Sequence, residues 1–74
     1  MERSEIDLIQ RLTPKHDELR HLWHRHQAFE KDLTRLDSLR YPTEAERREI
    51  GRLKRLKLRG KERMQSILDS HKNV

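Results

Sequence analysis

Leu19-Arg20-His21-Leu22-Trp23-His24-Arg25-His26-Gln27-Ala28-Phe29-Glu30-Lys31-Asp32-Leu33-Thr34-Arg35-Leu36 carries apolar side chains at Leu19, Leu22, Phe29, Leu33 and Leu36, with His26 in the one gap. The steps between these positions are 3, 4, 3, 4 and 3 residues. That spacing keeps one stripe of a helix turned toward a neighbouring helix, here for about two and a half heptads. Trp23 adjoins Leu19 and Leu22 and widens the apolar face, a placement that favours burial over stacking on a ligand.

Around this stretch the chain is poor in apolar material. Of its 74 residues, 31% are hydrophobic and 42% charged. Such a composition belongs either to a disordered chain or to long helices whose seams meet other helices. The regular seam decides for helices. One small domain, residues 1–74, is expected. Two helices of this kind cannot enclose a core alone, so a homo-oligomer (dimer or tetramer) or a protein partner is expected. The absence of cysteine excludes disulfides and thiolate zinc sites. The longest uncharged stretch is far too short for a membrane span. Met1-Glu2-Arg3-Ser4-Glu5 is unlike a signal peptide, so a cytoplasmic location is expected.

Three helices follow from the punctuation. Ser4, with Asp7 three residues on, reads as the cap of a short helix over about 4–12 containing Ile6, Leu8, Ile9 and Leu12. Leu8 and Leu12 extend the heptad frame backwards. Thr13-Pro14 interrupts it, with Thr13 read as the cap and Pro14 as the first turn of a long helix over about 14–39. Arg40-Tyr41-Pro42-Thr43 is the turn, and Thr43 with Glu46 forms a capping box for the last helix, over about 44–70. At 1.5 Å per residue each long helix measures roughly 40 Å. Equal lengths and a short turn predict an antiparallel pair. The expected fold is all-α: an antiparallel helical hairpin of two long helices with a short N-terminal helix, oligomerising into a helical bundle or coiled coil. Residues His71 to Val74 are expected to fray.

The last helix has the less regular seam: Ile50, Leu53, Leu56, Gly60, Met64, Ile67 and Leu68. Lys57 borders it and can lay its methylenes along the stripe. Gly51 and Gly60 each cost about 1 kcal/mol against Ala inside a helix. Gly60 either admits a close neighbour such as Phe29 or Trp23, or is a tolerated weak spot.

Residues 1–43 hold eight basic and eight acidic side chains, and residues 44–74 hold ten and five, so the whole surplus of +5 lies on the last helix. It is densest at Arg52, Lys54, Arg55, Lys57, Arg59, Lys61 and Arg63, with Glu62 the only acid among them.

With both seams in place a family resemblance emerges. Leu19-x-x-Leu22-x-x-x-His26-x-x-Phe29 resembles the Leu-x-x-Leu-x-x-x-His-x-x-Leu pattern of the YdcH-like family of small bacterial proteins. The run Leu53-Lys54-Arg55-Leu56-Lys57-Leu58-Arg59-Gly60-Lys61-Glu62 is similar to that family's Leu-Lys-x-x-Lys-Leu-x-Leu-Lys-Asp run. The likeness covers about Asp7 to Leu68 and departs at Gly60 and Glu62, where the family has Leu and Asp. It implies an oligomeric helical hairpin and brings no established activity.

Candidate chemistry is sparse. Glu18-x-x-His21 is half of a di-iron bundle motif, which needs a second copy and two further core carboxylates. It occurs once, on an outer face it shares with His24, so no metal and no cofactor are expected. His26 stands on the seam, where a polar residue sets register first and senses pH second. No nucleophile pairs with it, so catalytic residues are not expected and the chain is not expected to be an enzyme. The basic run reads first as a solvated face paired to acids such as Glu30, Asp32 and Asp37, or as a surface for a protein partner. It reads second as a nucleic-acid contact; the absence of interleaved aromatics argues against single-strand stacking. An anionic membrane surface ranks third, for want of bulky aromatics on that helix. The function expected from the sequence is a small helical interaction module that self-associates through its seams (Leu19, Leu22, Trp23, His26, Phe29, Leu33, Leu36, Ile50, Leu53, Leu56, Met64 and Ile67), with a basic nucleic-acid-associated protein as the alternative.

Overall fold

The computed structural model describes residues 2–72. They form three helices: α1 (Arg3–Leu12), α2 (Asp17–Asp37) and α3 (Glu44–Lys72). The chain is all-α, with no strand among the described residues. Its long dimension is 48 Å against 20 and 16 Å across.

The ends of the helices follow from local hydrogen bonding. α1 starts one residue earlier than expected, with Glu2 in the extended cap position and no side chain closing it. Ser4 lies inside the first turn and does not cap. At the other end Pro14 has no N–H for the Gln10 carbonyl. The Thr13 hydroxyl donates to that carbonyl instead, at 3.2 Å. Thr13 is therefore helical and closes α1, with its own N–H on the Ile9 carbonyl at 2.9 Å. It does not cap α2. A further bond from the Lys15 N–H to the Leu12 carbonyl carries the turn to His16. His16 is extended, and its ring accepts the Leu19 N–H at 3.1 Å, so α2 starts at Asp17 rather than Pro14.

α2 ends at Asp37, two residues short of the expected Leu39, and Ser38 caps it with its N–H on Leu36 and Thr34 carbonyls. The Ser38 hydroxyl also donates to the Arg35 carbonyl at 2.7 Å. The connection is accordingly longer than 40–43. It closes on a reciprocal pair: the Thr43 N–H donates to Glu46 Oε1 at 2.8 Å and the Glu46 N–H to Thr43 Oγ1 at 3.1 Å. This arrangement satisfies two of the donors that a helix start leaves open. α3 continues past Ser70 to Lys72, so His71 is helical; Asn73 and Val74 lie outside the described residues.

α2 makes most of its contacts with α3, in opposite order along the two helices: Glu18, early in α2, meets Arg63, late in α3, and Glu30 meets Lys57. Two apolar clusters hold the helices together. One joins Ile9, Leu19, Met64, Ile67 and Leu68, with Leu8, Leu12, Leu22 and Trp23 packed against it. The other joins Leu33, Leu36 and Leu53, with Phe29 and Ile50 alongside. α1 caps the first cluster: Ile9 is fully buried there, as are Leu19, Met64 and Leu68. Full burial of such a side chain contributes about 1.5–3 kcal/mol by transfer alone.

Candidate helix-docking groove

Between the two clusters the core is interrupted. On α2 the break falls at His26; on α3 it falls at Leu56 and Gly60. A Cβ placed on Gly60 would meet nothing within 4 Å. Gly60 therefore does not serve a close approach of Phe29 or Trp23, the expectation that its place on the seam raised; it opens a space. The result is a groove of about 240 Å³ lined by Leu22, Arg25, His26, Phe29, Leu56, Arg59 and Gly60.

The seam residues thus divide. Leu19, Leu33, Leu36, Leu53, Met64 and Ile67 are buried in the two clusters, whereas Leu22, Trp23, His26, Phe29, Ile50 and Leu56 are half-buried. Of this second set, Leu22, His26, Phe29 and Leu56 line the groove. Among the described residues, Ile9 and Leu68 join the most buried positions. The signals for them were the apolar run of α1 and the double Ile67-Leu68 step.

His26 stands at the break. Its ring stacks on Trp23, with centroids 5.8 Å apart and planes 11° from parallel. Nε2 lies 3.5 Å from Glu30 Oε1, and the same oxygen is 2.6 Å from Lys57 Nζ. Nδ1 is buried with no hydrogen-bond partner. Burial holds the imidazole pKa below its ordinary value; the Glu30 carboxylate pulls it up, and Lys57 and Lys61 push it further down. Glu30 in turn is held low by its hydrogen bond from Lys57. The carboxylate beside His26 is thus Glu30, one turn on along its own helix.

The basic run of α3 separates by residue type. Arg48, Arg52, Arg55, Arg59 and Arg63, at steps of 4, 3, 4 and 4, fall on one side of α3, and Arg59 among them lines the groove. All five are exposed. Lys54, Lys57 and Lys61 lie on the other side and line a shallow depression with Glu30, Asp37 and Leu58. Of the arginines, Arg52 is paired to Glu49 and Arg63 to Glu18. Arg48, Arg55 and Arg59 have no carboxylate partner among the described residues, and neither has Arg25. The Arg25 guanidinium instead lies over the Phe29 ring, 5.7 Å from its centroid. Arg25 brings a charge from α2 to the groove, and its place three residues after Leu22 and four before Phe29 was the signal for it. Asp32 and Asp37 make no ion pair among the described residues.

None of the seven lining residues offers a hydroxyl, thiol or carboxylate. Two guanidinium groups, one imidazole and an apolar floor can bind; they do not compose a nucleophile with its base. His21 and His24 are exposed on α2, and among the described residues no group of three or more potential metal ligands occurs. At the far end of the molecule the His16 and His71 rings meet edge to face, 6.0 Å between centroids. No described helix is long and apolar enough to cross a membrane. In comparisons with known proteins, no family model, no curated protein and no solved structure matched the chain.

Proposed function

We propose that this chain is a small non-enzymatic interaction module: an antiparallel helical hairpin, closed at one end by α1, that associates with further helices along its seam. The observation that carries this reading is the groove, where Leu22, Phe29 and Leu56 stay half-buried because the pairing of α2 with α3 leaves a gap above Gly60. A seam residue that its own partner helix does not cover is a site for another helix. The opposite order of the Glu18–Arg63 and Glu30–Lys57 pairs supports the hairpin. So does the resemblance of the Leu22, His26 and Phe29 pattern to the YdcH-like family. Assembly into a dimer or tetramer is the form of association that the heptad seam favours. Light scattering at micromolar concentration tests that form. The wild type is expected above the mass of one chain, and Phe29→Asp, which puts an unpartnered charge in the seam, is expected at one chain. A wild-type monomer overturns self-association.

A second reading, a basic protein that binds nucleic acid, is favoured by the arginine stripe. Planar guanidinium groups suit phosphate, and those of Arg48, Arg55 and Arg59 are not engaged by carboxylates among the described residues. Its mark is a steep fall of duplex affinity with salt, at roughly one unit of log–log slope per phosphate contact. Replacing Arg48, Arg55 and Arg59 by Ser is expected to flatten that slope by about three units. No duplex binding at low salt removes this reading.

A further inference from the structure

We infer that the groove between α2 and α3 receives an acidic amphipathic helix of another protein, with apolar side chains in the gap above Gly60 and carboxylates on Arg25 and Arg59. The inference rests on the interaction-module reading and names the partner of that site. Size argues first. At about 240 Å³ and open to one side, the groove falls short of the roughly 300–1,000 Å³ of small-molecule pockets. It is room for one or two anchoring side chains on a helix.

Charge argues next. Both polar rims are arginine, Arg55 stands one turn further along the same side, and none of the three is engaged by a carboxylate among the described residues. A second copy docked groove to groove would bring its own Arg25 and Arg59 against them, a like-charge contact that disfavours that one arrangement and leaves self-association through the rest of the seam untouched. A helix with glutamate or aspartate beside its leucines supplies what the rims lack. Nucleic acid would satisfy the arginines and leave the floor of Leu22, Phe29 and Leu56 without a partner. Arg25 already lies over one face of the Phe29 ring, where a base would otherwise stack.

Gly60 permits a clean test. Its missing Cβ faces open space, so Gly60→Leu starts a side chain into the groove with no contact at Cβ and raises helix propensity. The probe is a labelled synthetic helical peptide with leucines at i, i+3 and i+7 flanked by glutamates, followed by fluorescence anisotropy. Its controls are the same peptide with lysines for glutamates and a duplex oligonucleotide. The full chain is expected to bind the glutamate peptide and not the lysine peptide. Gly60→Leu is expected to weaken that binding on the order of 30-fold or more, the loss an interface hot spot gives. Arg59→Glu is expected to reverse the preference between the two peptides. Circular dichroism confirms that both variants stay helical. No binding of the glutamate peptide overturns the inference, as does equal binding of both peptides. Duplex binding that is indifferent to Gly60→Leu, with no peptide binding, overturns it in favour of a polyanion. A wild-type oligomer that Gly60→Leu dissociates assigns the groove to a second copy; the interaction-module reading then stands while this inference falls.

Discussion

Glu18 and Arg63, 45 residues apart in the chain, are joined by two parallel hydrogen bonds, Nε to Oε2 and Nη2 to Oε1, each 2.8 Å long. This fork ties the first turn of α2 to the late part of α3, where α1 also docks. The Arg63 guanidinium holds the Glu18 carboxyl below its ordinary pKa. A carboxyl depressed on folding contributes stability above its unfolded pKa, and that contribution is lost as pH falls through the folded value. Arg63→Ala is therefore expected to lower stability slightly at neutral pH and to converge with the wild type in strong acid, which flattens the acid limb; the difference is small because both side chains are about half exposed. Melting curves from mildly acidic to strongly acidic buffer check this. An acid limb identical to the wild type's means the fork does not persist in solution.

The start of α2 makes a second prediction. His16 caps the helix by accepting the Leu19 N–H on Nδ1, which requires that nitrogen to carry no proton. His16→Asn, which keeps an acceptor, is expected to match or exceed the wild type in stability. His16→Ala is expected to lose about 1 kcal/mol. Urea denaturation near neutral pH reads both differences.

How far these features were legible in the sequence depended on what fixed them. The helices were legible because they rest on local pattern: the 3–4 steps of Leu19 to Leu36 and the Thr43–Glu46 exchange. The start of α2 was not, because the decisive bond is the Thr13 hydroxyl replacing the N–H that Pro14 lacks, which extends α1 and passes the cap to His16. Histidine is not among the side chains usually sought at a cap. The groove was legible only in part. Leu22 and Phe29 share their period with Leu19 and Leu33, so periodicity alone cannot tell the covered from the uncovered. Two non-local facts decide it: Ile9 of α1 joins the Leu19 cluster, and Gly60 offers Phe29 no side chain to pack on. The basic residues of α3 fall on nearly every side of the helix by their spacing, and only the pairing with α2 shows that Arg59 borders the groove.

Gly60 and Gly51 both sit inside α3, and neither needs to be glycine for steric reasons. A Cβ at Gly60 meets nothing, and at Gly51 it meets only the Arg55 guanidinium at 3.8 Å, an ordinary contact. Each change to Ala is expected to stabilise the fold by about 1 kcal/mol. Denaturant melts of the two single variants measure it. Destabilisation by Gly60→Ala would show that another helix already occupies the space above it in the assembled protein.

His26 joins the groove to the pH response. Its Nδ1 is buried without a hydrogen bond, a defect that costs about 1–3 kcal/mol. Leucine at this position removes the orphaned atom and keeps an apolar surface on Trp23 and the groove floor. His26→Leu is therefore expected to raise stability at neutral pH. The pH dependence has a definite sign. Burial lowers the folded pKa of the imidazole, with Lys57 and Lys61 acting the same way and Glu30 opposing them. The unfolded chain, with a histidine pKa of about 6.5, thus takes up the proton more readily than the folded one. The stability contributed by the neutral ring is complete above that unfolded value and is lost as pH falls through it toward the folded pKa. The wild type should weaken between neutral and mildly acidic buffer, and His26→Leu should lack this component while keeping the acid limb of Glu18 at lower pH. Lys57→Met is expected to raise the folded pKa by removing a nearby positive charge and freeing Glu30, shrinking the same component. Thermal melts of the three proteins across this range, with NMR titration of the His26 ring, separate the contributions. A His26 pKa at or above that of a free histidine would mean that Glu30 outweighs burial, and the expected loss on acidification would become a gain.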